Sequence, residues 1–248
     1  MRSLTRVPYS YKNIKREHPV MNYKSREPSD IHQLMNGHTY LFDNIDFIAT
    51  QINNIDGDIV ECGVWKGGMV AYMAEVFPDR TVWACDSFQG CPRTIDQIKY
   101  PETWENENTQ EHIGLWSADI SYLRTTLQKY EIPTEQVKIL PGWFKDTLVP
   151  DVCPINQIAL LRIDGDLYSS TYEVLEYLYP KVVKGGFVIF DDYSITDSRQ
   201  AVYDYFLHTN QQPSAWFDPA AMVEYAEAQN WMNHPVWMKR KQGVFLKK

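Results

Sequence analysis

From residue 31 onward, stretches whose apolar residues recur at helical spacing alternate along the chain with short apolar runs. Five runs have the length of strands and lie at residues 57–63, 80–88, 136–144, 158–166 and 185–193. Five stretches have helical spacing and lie at residues 31–55, 68–77, 117–132, 170–182 and 198–209. Strands that alternate with helices favour right-handed crossovers and a mostly parallel sheet with helices on both faces. The pattern therefore predicts a doubly wound α/β fold, closed by an antiparallel hairpin over residues 236–248.

The ends of the predicted elements and the flanking segments have their own signals. Pro78 stops the second predicted helix, and Ser117 is a candidate N-cap for the third. Residues 1–30 are polar, basic and interrupted by prolines, which is typical of an arm or lid outside the core. We expect residues 31–248 to form a single domain, with a variable insert near 211–233.

The composition excludes several classes of protein. The 248 residues are 44% hydrophobic with a net charge of −8, which argues against a nucleic-acid groove because such grooves need many cations. The four cysteines form no CxxC pair, so neither a zinc site nor a disulfide framework is indicated. The N-terminal segment lacks the apolar core of a signal peptide, and no apolar run is long enough to span a membrane. These features predict a cytoplasmic protein that binds neither nucleic acid nor membrane.

Three glycines, Gly63, Gly67 and Gly68, lie between the first strand and its helix in "VECGVWKGG". Glycine at such a turn lets the backbone approach a ligand closely. Trp65 breaks the GxGxxG pattern of dinucleotide sites, and Lys66 precedes Gly67, which is not the order of a phosphate-binding P-loop. A tight turn without a ligand stays an equal alternative for this motif alone.

Asp86 ends the second strand, about twenty residues after the glycine turn. An acidic residue at this place can accept hydrogen bonds from ribose hydroxyls, in dinucleotide cofactors and in S-adenosylmethionine (SAM) alike. The glycine pattern lacks what a pyrophosphate needs, so SAM is favoured. A capping role for Asp86 is the alternative.

Three further aspartates follow neighbouring strands: Asp164 after the fourth, and Asp191 and Asp192 after the fifth. Converging carboxylates repel one another and raise at least one pKa unless a cation is present. Oxygen ligands suit Mg²⁺ or another hard divalent cation. We therefore expect a metal ion to compensate the negative charge of Asp164. The alternatives are a helix cap and a salt bridge from Arg162 or Arg199. Asp166 is either part of this site or a turn residue.

The stretches "GDIVECGVWKGG", "ACDSFQGCP", "ILPGWFKDTLVP", "LLRIDGDLYSST", "YPKVVKGGFVIFDDY" and "RQAVYDYF" resemble, in order and spacing, the macrocin O-methyltransferase family. The resemblance runs from Gly57 to Phe206. It implies a Rossmann-like class I methyltransferase fold, dependence on SAM and a divalent metal, and action on sugar hydroxyls. It also implies a homo-oligomer.

Residue by residue, the resemblance implies roles in cofactor binding, metal binding and catalysis. It implies that SAM is bound by Glu61, Gly63, Val64, Trp65, Lys66, Gly67, Gly68, Asp86, Ser87, Trp143, Phe144 and Asp164. It implies that Mg²⁺ is held by Asp164, Asp191 and Asp192, and that Asp164 is the general base. The acceptor, a small molecule with a hydroxyl or vicinal diol, is not readable from the sequence.

Two other functions stay open at this point. One is an oxidoreductase with a nicotinamide cofactor on the same fold, which Asp86 permits but the glycine pattern does not favour. The other is a binding module that kept the SAM fold without catalysis. Retention of three mutually repelling aspartates argues against the module, because a site without catalysis gains nothing from them.

Overall fold

The structure is a computed structural model that describes residues 40–92, 113–193, 196–211, 213, 215–218, 223–225 and 244–248. The predicted N-terminal arm, the first part of the first predicted helix and the first strand of the predicted closing hairpin lie outside these residues. The described residues form one eight-stranded sheet with helices on both faces. The predicted doubly wound α/β fold is confirmed.

The elements alternate along the chain as the sequence pattern predicts. The strands are β1 Asp58–Cys62, β2 Val82–Asp86, β3 Val137–Pro141, β4 Ile158–Ile163, β5 Val182–Phe190, β6 Ala215–Asp218, β7 Val223–Tyr225 and β8 Val244–Lys247. The helices are α1 Tyr40–Ile52, α2 Gly68–Val76, α3 Ile120–Lys129, α4 Phe144–Thr147, α5 Tyr168–Leu178 and α6 Thr196–Thr209, with a 3₁₀ turn at Tyr179–Lys181.

The strand order is β3-β2-β1-β4-β5-β8-β6-β7. The first five strands in this order are parallel, and β8 pairs antiparallel with both β5 and β6. The second strand of the predicted hairpin is thus present as an antiparallel strand, β8, and it lies between β5 and β6, while the hairpin's first strand lies outside the described residues. Strands β6 and β7 come from the stretch that the sequence analysis treated as a variable insert, and they extend the sheet.

Burial explains why the apolar runs become strands. All six residues of β4 are buried, as expected for a central parallel strand covered on both faces. One face packs under α1, α2 and α3 in a cluster that includes Leu160, and the other packs under α5 and α6 around Leu161. Within the described part of the chain, no helix is long and apolar enough to cross a membrane.

Three element ends differ from the prediction. Helix α3 begins at Ile120, and its N-cap is Asp119, whose side chain accepts a hydrogen bond from the Ser121 amide; the predicted cap, Ser117, lies outside the helix. Strand β5 begins at Val182, which the spacing assigned to the preceding helix. The one-turn helix α4 begins at Phe144, where the sequence predicted the end of a strand and turn.

Candidate functional site

The candidate site lies at the carboxyl ends of the parallel strands, where open α/β sheets bind ligands. Backbone hydrogen bonds continue one residue beyond each ladder and tie the neighbouring ends together. Gly63 N donates to Cys85 O, Asp164 N to Cys62 O, and Asp191 N to Ile163 O, at 2.8–2.9 Å. The residues that follow β1, β4 and β5 are therefore held in register with one another.

A buried arginine occupies the centre of this edge. Arg162 on β4 is 2% exposed, and it is opposite Glu61 in the register of β1 and β4. Its Nη1 bonds to Glu61 Oε1 and lies 2.8 Å from Asp164 Oδ2, and its Nη2 lies 2.7 Å from Asp191 Oδ1. Of the partners that the sequence left open for Asp164, the structure contains the salt bridge from Arg162.

The three aspartates predicted to bind metal do come together. Asp164, Asp191 and Asp192 each offer a carboxylate oxygen, and these oxygens all lie within 4.8 Å of one another. Asp191 and Asp192 are buried, whereas Asp164 is partly exposed. A cluster of this size matches the space in which one hard cation is held by several oxygens.

Burial and mutual repulsion make ionisation of the cluster costly. Burial, and next the charge of Asp191, raise the pKa of Asp164 well above its ordinary value, against the opposing effect of Arg162. Burial, and then the charges of Asp166 and Asp164, raise the pKa of Asp192 in the same way. Burial raises the pKa of Glu61 to about 7 although Arg162 lowers it. The single arginine is therefore not enough to compensate ionisation of all of these carboxyls.

Asp166 lies beside the cluster without belonging to the three-oxygen group. Its backbone has a positive φ of 57°, unusual for a residue other than glycine, and its amide donates to Asp192 Oδ2 at 2.8 Å. Burial, and then the charge of Asp191, raise the pKa of its carboxyl to about 6. The turn therefore places the backbone of Asp166 next to Asp192, at a residue for which the sequence left a site role and a turn role open.

The glycine turn after β1 is shaped partly by packing. Gly63 has φ 91°, and a Cβ there would overlap the carbonyl oxygen of Asp164. Gly67 has φ 84°, and a Cβ there would overlap the Leu123 side chain on α3. Gly68 is the buried first residue of α2. Both positive-φ glycines therefore have a structural reason, and Gly63 links the turn to the aspartates.

Asp86 fixes this turn through its carboxylate. Oδ2 accepts hydrogen bonds from the amides of Val64 (2.7 Å) and Trp65 (3.0 Å), and Oδ1 accepts one from Phe88 at 2.7 Å. A carboxylate has about four lone-pair sites, so about one is left for a ribose hydroxyl. The sequence predicted a ribose ligand or a cap; the contacts in the structure are of the capping kind.

Other residues that were predicted to bind SAM lie near the same carboxyl-terminal edge of the sheet. Lys66 Nζ lies 4.2 Å from the centre of the Trp65 ring, and Trp65 packs edge-on against Trp116, with ring centres 5.9 Å apart. Ser87 Oγ accepts a hydrogen bond from the Gln89 amide and so belongs to the turn after β2. The side chains of Lys66 and Trp65 thus form one partly buried group beside the glycine turn.

Trp143 and Phe144 follow β3 at the start of α4. The Trp143 carbonyl accepts from the amides of Asp146 and Thr147, and both aromatic side chains are partly buried. Phe144 Cε2 lies 3.7 Å from where a Cβ of Gly165 would stand, which puts this ring against the aspartate turn. The structure therefore connects Phe144 with the acidic cluster as well as with β3.

Arg162 is not among the site residues predicted from the sequence, where it is only an alternative salt-bridge partner of the aspartates. A signal was present, because a single arginine interrupts the apolar run "IALLRI" of a strand that is otherwise buried. Alternation along β4 places Arg162 and Asp164 on the same face of the sheet. The partner on β1 could be found only from the strand register.

The macrocin O-methyltransferase family model matches residues 17–222, more than four fifths of the chain. Among curated relatives, the demethyldecarbamoylnovobiocin O-methyltransferase of Streptomyces niveus is 42% identical over 159 residues, covering 62% of this chain and 59% of that protein. The 8-demethyl-8-(2,3-dimethoxy-alpha-L-rhamnosyl)-tetracenomycin-C 4'-O-methyltransferase of Streptomyces olivaceus is 38% identical over 170 residues, covering 66% of this chain and 64% of that protein. The chain thus aligns with about six tenths of the length of these relatives.

Among solved structures, the O-methyltransferase NovP is similar with a TM-score of 0.65 and 31% identity, covering 84% of this chain and 79% of that one. The calicheamicin methyltransferase CalS11 is similar with a TM-score of 0.60 and 19% identity, covering 97% and 94% of the two chains, and this likeness concerns the fold alone. The expected class I methyltransferase fold is confirmed. The family match, the fold and the six sequence blocks agree: the chain belongs to the macrocin O-methyltransferase family.

Proposed function

We propose that this protein is a metal-dependent O-methyltransferase that moves the methyl group of SAM to a sugar hydroxyl of a glycosylated natural product. Family membership supports methyl transfer over the hydride transfer of a nicotinamide oxidoreductase. The two curated relatives are named for O-methylation of a rhamnosyl-tetracenomycin and of demethyldecarbamoylnovobiocin, and the first of these acceptors carries a rhamnosyl group. A glycoside is therefore the acceptor class that we propose.

The observation that carries the proposal is the convergence of Asp164, Asp191 and Asp192 next to the glycine turn. Their oxygens lie within 4.8 Å of one another, and Gly63, in the turn after β1, is in contact with Asp164. A methyl donor held at the turn would therefore be adjacent to an acceptor held at the aspartates. Adjacency of this kind supplies much of the rate in a two-substrate reaction.

The acidic cluster fits a hard divalent cation. Glu61, Asp164, Asp191 and Asp192 carry four potential negative charges against the one positive charge of Arg162, and Glu61 Oε2 is buried without a hydrogen-bond partner among the described residues. All donors are carboxylate oxygens, which suit Mg²⁺ or Mn²⁺ rather than zinc. A bound cation would lower the pKa of an acceptor hydroxyl and fix its orientation.

The chain's own residues have separate roles in this proposal. Asp164, Asp191 and Asp192 hold the cation and thereby place the acceptor. Gly63 and Gly67 shape the turn that receives SAM, and the remaining residues assigned from the family surround it. Trp65 packs edge-on against Trp116 on one side of the turn.

The base that accepts the hydroxyl proton needs an uncommitted oxygen. Asp164, the base implied by the family resemblance, bonds to Arg162 through Oδ2 and also belongs to the cation-binding group. Asp166 is outside that group, and the hydrogen bond that its backbone amide donates to Asp192 Oδ2 holds its backbone at the edge of the cluster. We therefore favour Asp166 as the proton acceptor and keep Asp164 as a cation ligand.

A transfer assay tests the proposed function. Purified protein would be stripped with a chelator, resupplied with Mg²⁺, and incubated with methyl-labelled SAM and a panel of glycosides with their matching aglycones. We expect label on glycosides only, and only with added metal. Label on aglycones would refute the sugar acceptor, and transfer that persists in chelator would refute the metal dependence.

The same assay separates the two candidate bases. Asp166→Asn should abolish transfer while leaving Mn²⁺ affinity unchanged, whereas Asp164→Asn should weaken Mn²⁺ binding. If Asp166→Asn transfers normally, Asp164 is restored as the base. Oligomerisation, implied by the resemblance, stays a separate proposal that light scattering of the purified protein would test.

A further inference from the structure

Arg162 is a fully buried cation that contacts two of the three candidate cation ligands. It is 2% exposed and on β4, two residues before Asp164. Nη1 donates a hydrogen bond to Asp164 Oδ2 at 2.8 Å, and Nη2 forms an ion pair with Asp191 Oδ1 at 2.7 Å without the alignment of a hydrogen bond. Each contact is to one named oxygen of a carboxylate, Oδ2 of Asp164 and Oδ1 of Asp191.

Glu61 contacts the arginine from the neighbouring strand and shares Nη1 with Asp164. Its carboxylate bonds to Arg162 Nη1, is 1% exposed, and lies on the neighbouring strand β1. Glu61 is outside the group of three converging aspartates. A carboxylate that contacts the arginine but not the metal group is suited to orienting the guanidinium.

We propose that Arg162 is a positioning residue, oriented by Glu61, that holds the carboxylates of Asp164 and Asp191 in the geometry a divalent cation requires. This inference rests on the proposed function, because it assumes that the aspartates bind metal. Outer partners of metal ligands commonly fix ligand orientation, and their loss costs about 10–100-fold in metal affinity.

Geometry rather than charge must be the source of this effect. A guanidinium a few ångströms from a divalent cation repels it, so the positive charge alone would weaken metal binding. The planar fork of donors can hold two carboxylates at fixed angles, whereas a lysine presents a single point charge. Replacing arginine by lysine therefore keeps the charge and removes the geometry.

The test compares Arg162→Lys with wild type and with Arg80→Lys, a matched control. Arg80 also uses its guanidinium on three acceptors, the backbone carbonyls of Gly57, Ile52 and Ile55, at the other end of β1. Mn²⁺ would be titrated into chelator-treated protein and free Mn²⁺ followed by electron paramagnetic resonance. We expect Arg162→Lys to weaken Mn²⁺ binding about 10-fold or more, and Arg80→Lys to lower the melting temperature without changing Mn²⁺ affinity.

The outcomes separate the two proposals. If wild type binds Mn²⁺ and Arg162→Lys binds it equally well, the positioning role is refuted while the metal proposal stands. If wild type does not bind Mn²⁺, both are refuted. If Arg162→Lys does not fold, the double variant Glu61→Gln with Arg162→Met replaces it, since this pair removes one charge of each sign. The same loss of Mn²⁺ affinity is expected there, and an unchanged affinity refutes the role.

Discussion

The carbonyl oxygen of Asp164 occupies the space that a side chain at Gly63 would need. This contact joins the end of β4 to the turn after β1, so the candidate cation site and the candidate SAM site share one backbone contact. Gly63 also has φ 91°, a conformation in which residues with a Cβ are strained. A single position therefore controls the alignment of both halves of the site.

Replacing Gly63 with alanine should destabilise the fold and abolish SAM binding together. The new Cβ would meet backbone rather than a flexible side chain, so the strand ends must separate. We expect the free energy of unfolding to fall by more than about 4 kcal/mol, the range of exceptional single substitutions. Urea unfolding and calorimetric titration with SAM would measure the two effects.

Gly114→Ala is the matched control, because Gly114 has φ 81° but, among the residues that the structure describes, a Cβ there would meet only Gln89 O at 3.8 Å. It should cost only the backbone strain of about 1–2 kcal/mol and leave SAM affinity intact. Equal losses for the two variants would show that the contact with Asp164 is unimportant.

Asp86→Asn should weaken binding of S-adenosylhomocysteine by about 10-fold or more, because hydrogen bonds to a charged acceptor contribute about 1.5–3 kcal/mol. An asparagine offers one acceptor oxygen where the three amides of Val64, Trp65 and Phe88 now share two. Asp58→Asn, at the opposite end of β1, keeps an acceptor for the Trp83 indole and should leave this affinity unchanged.

The 2′-deoxy and 3′-deoxy analogues of S-adenosylhomocysteine would separate fixing the turn from binding the ribose. About one lone-pair site is left on Asp86, so it can accept a hydrogen bond from only one ribose hydroxyl. We therefore expect the loss of affinity caused by Asp86→Asn to be smaller for one of the two analogues at most. A reduced effect for both analogues would establish the two-hydroxyl contact that the sequence predicted.

Asp192→Asn should reduce Mn²⁺ affinity by at least about 100-fold, because it removes a direct ligand of the cation. Loss of an outer partner of a ligand already costs about 10–100-fold. SAM affinity should change little, since Asp192 contacts the Asp166 amide and not the glycine turn. Asp151→Asn, which removes an exposed charge ahead of β4, is the control and should change neither affinity. Parallel losses of metal and SAM affinity in Asp192→Asn would indicate general damage instead.

Leu160→Ala should lower the free energy of unfolding by about 2–5 kcal/mol, as expected for truncating a buried side chain in a packed core. Leu160 is 0% exposed on the central strand β4. Leu207→Ala, on α6 and 60% exposed, should stay within about 0.5 kcal/mol of wild type. Denaturant unfolding measures both, and similar values would contradict the placement of β4 in the middle of the sheet.

Local patterns in the sequence predicted the parallel strands and the aspartates at their carboxyl ends well. The apolar runs end at Asp86, Ile163 and Phe190, so the positions of Asp164 and Asp191 followed directly. The helix start at Ile120 was missed because "SADIS" offers two good capping residues, and spacing alone does not choose between Ser117 and Asp119. Propensities of neighbouring residues are too similar to decide such an end.

Non-local pairing was the part that the sequence could not supply. The contact between Arg162 and Glu61 depends on the register of β1 with β4, which joins residues about a hundred positions apart. The insertion of β8 between β5 and β6 likewise depends on pairing across distant segments. The pattern revealed which residues end each strand, but not which of them share a partner.

Calorimetric titration of chelator-treated protein with SAM and, separately, with Mg²⁺ tests the central claim most directly. We predict that both bind, and that Asp192→Asn keeps SAM binding while losing the heat of Mg²⁺ binding. SAM binding without any Mg²⁺ binding would contradict the metal role of the aspartates. Absence of SAM binding would contradict the proposal of methyl transfer itself.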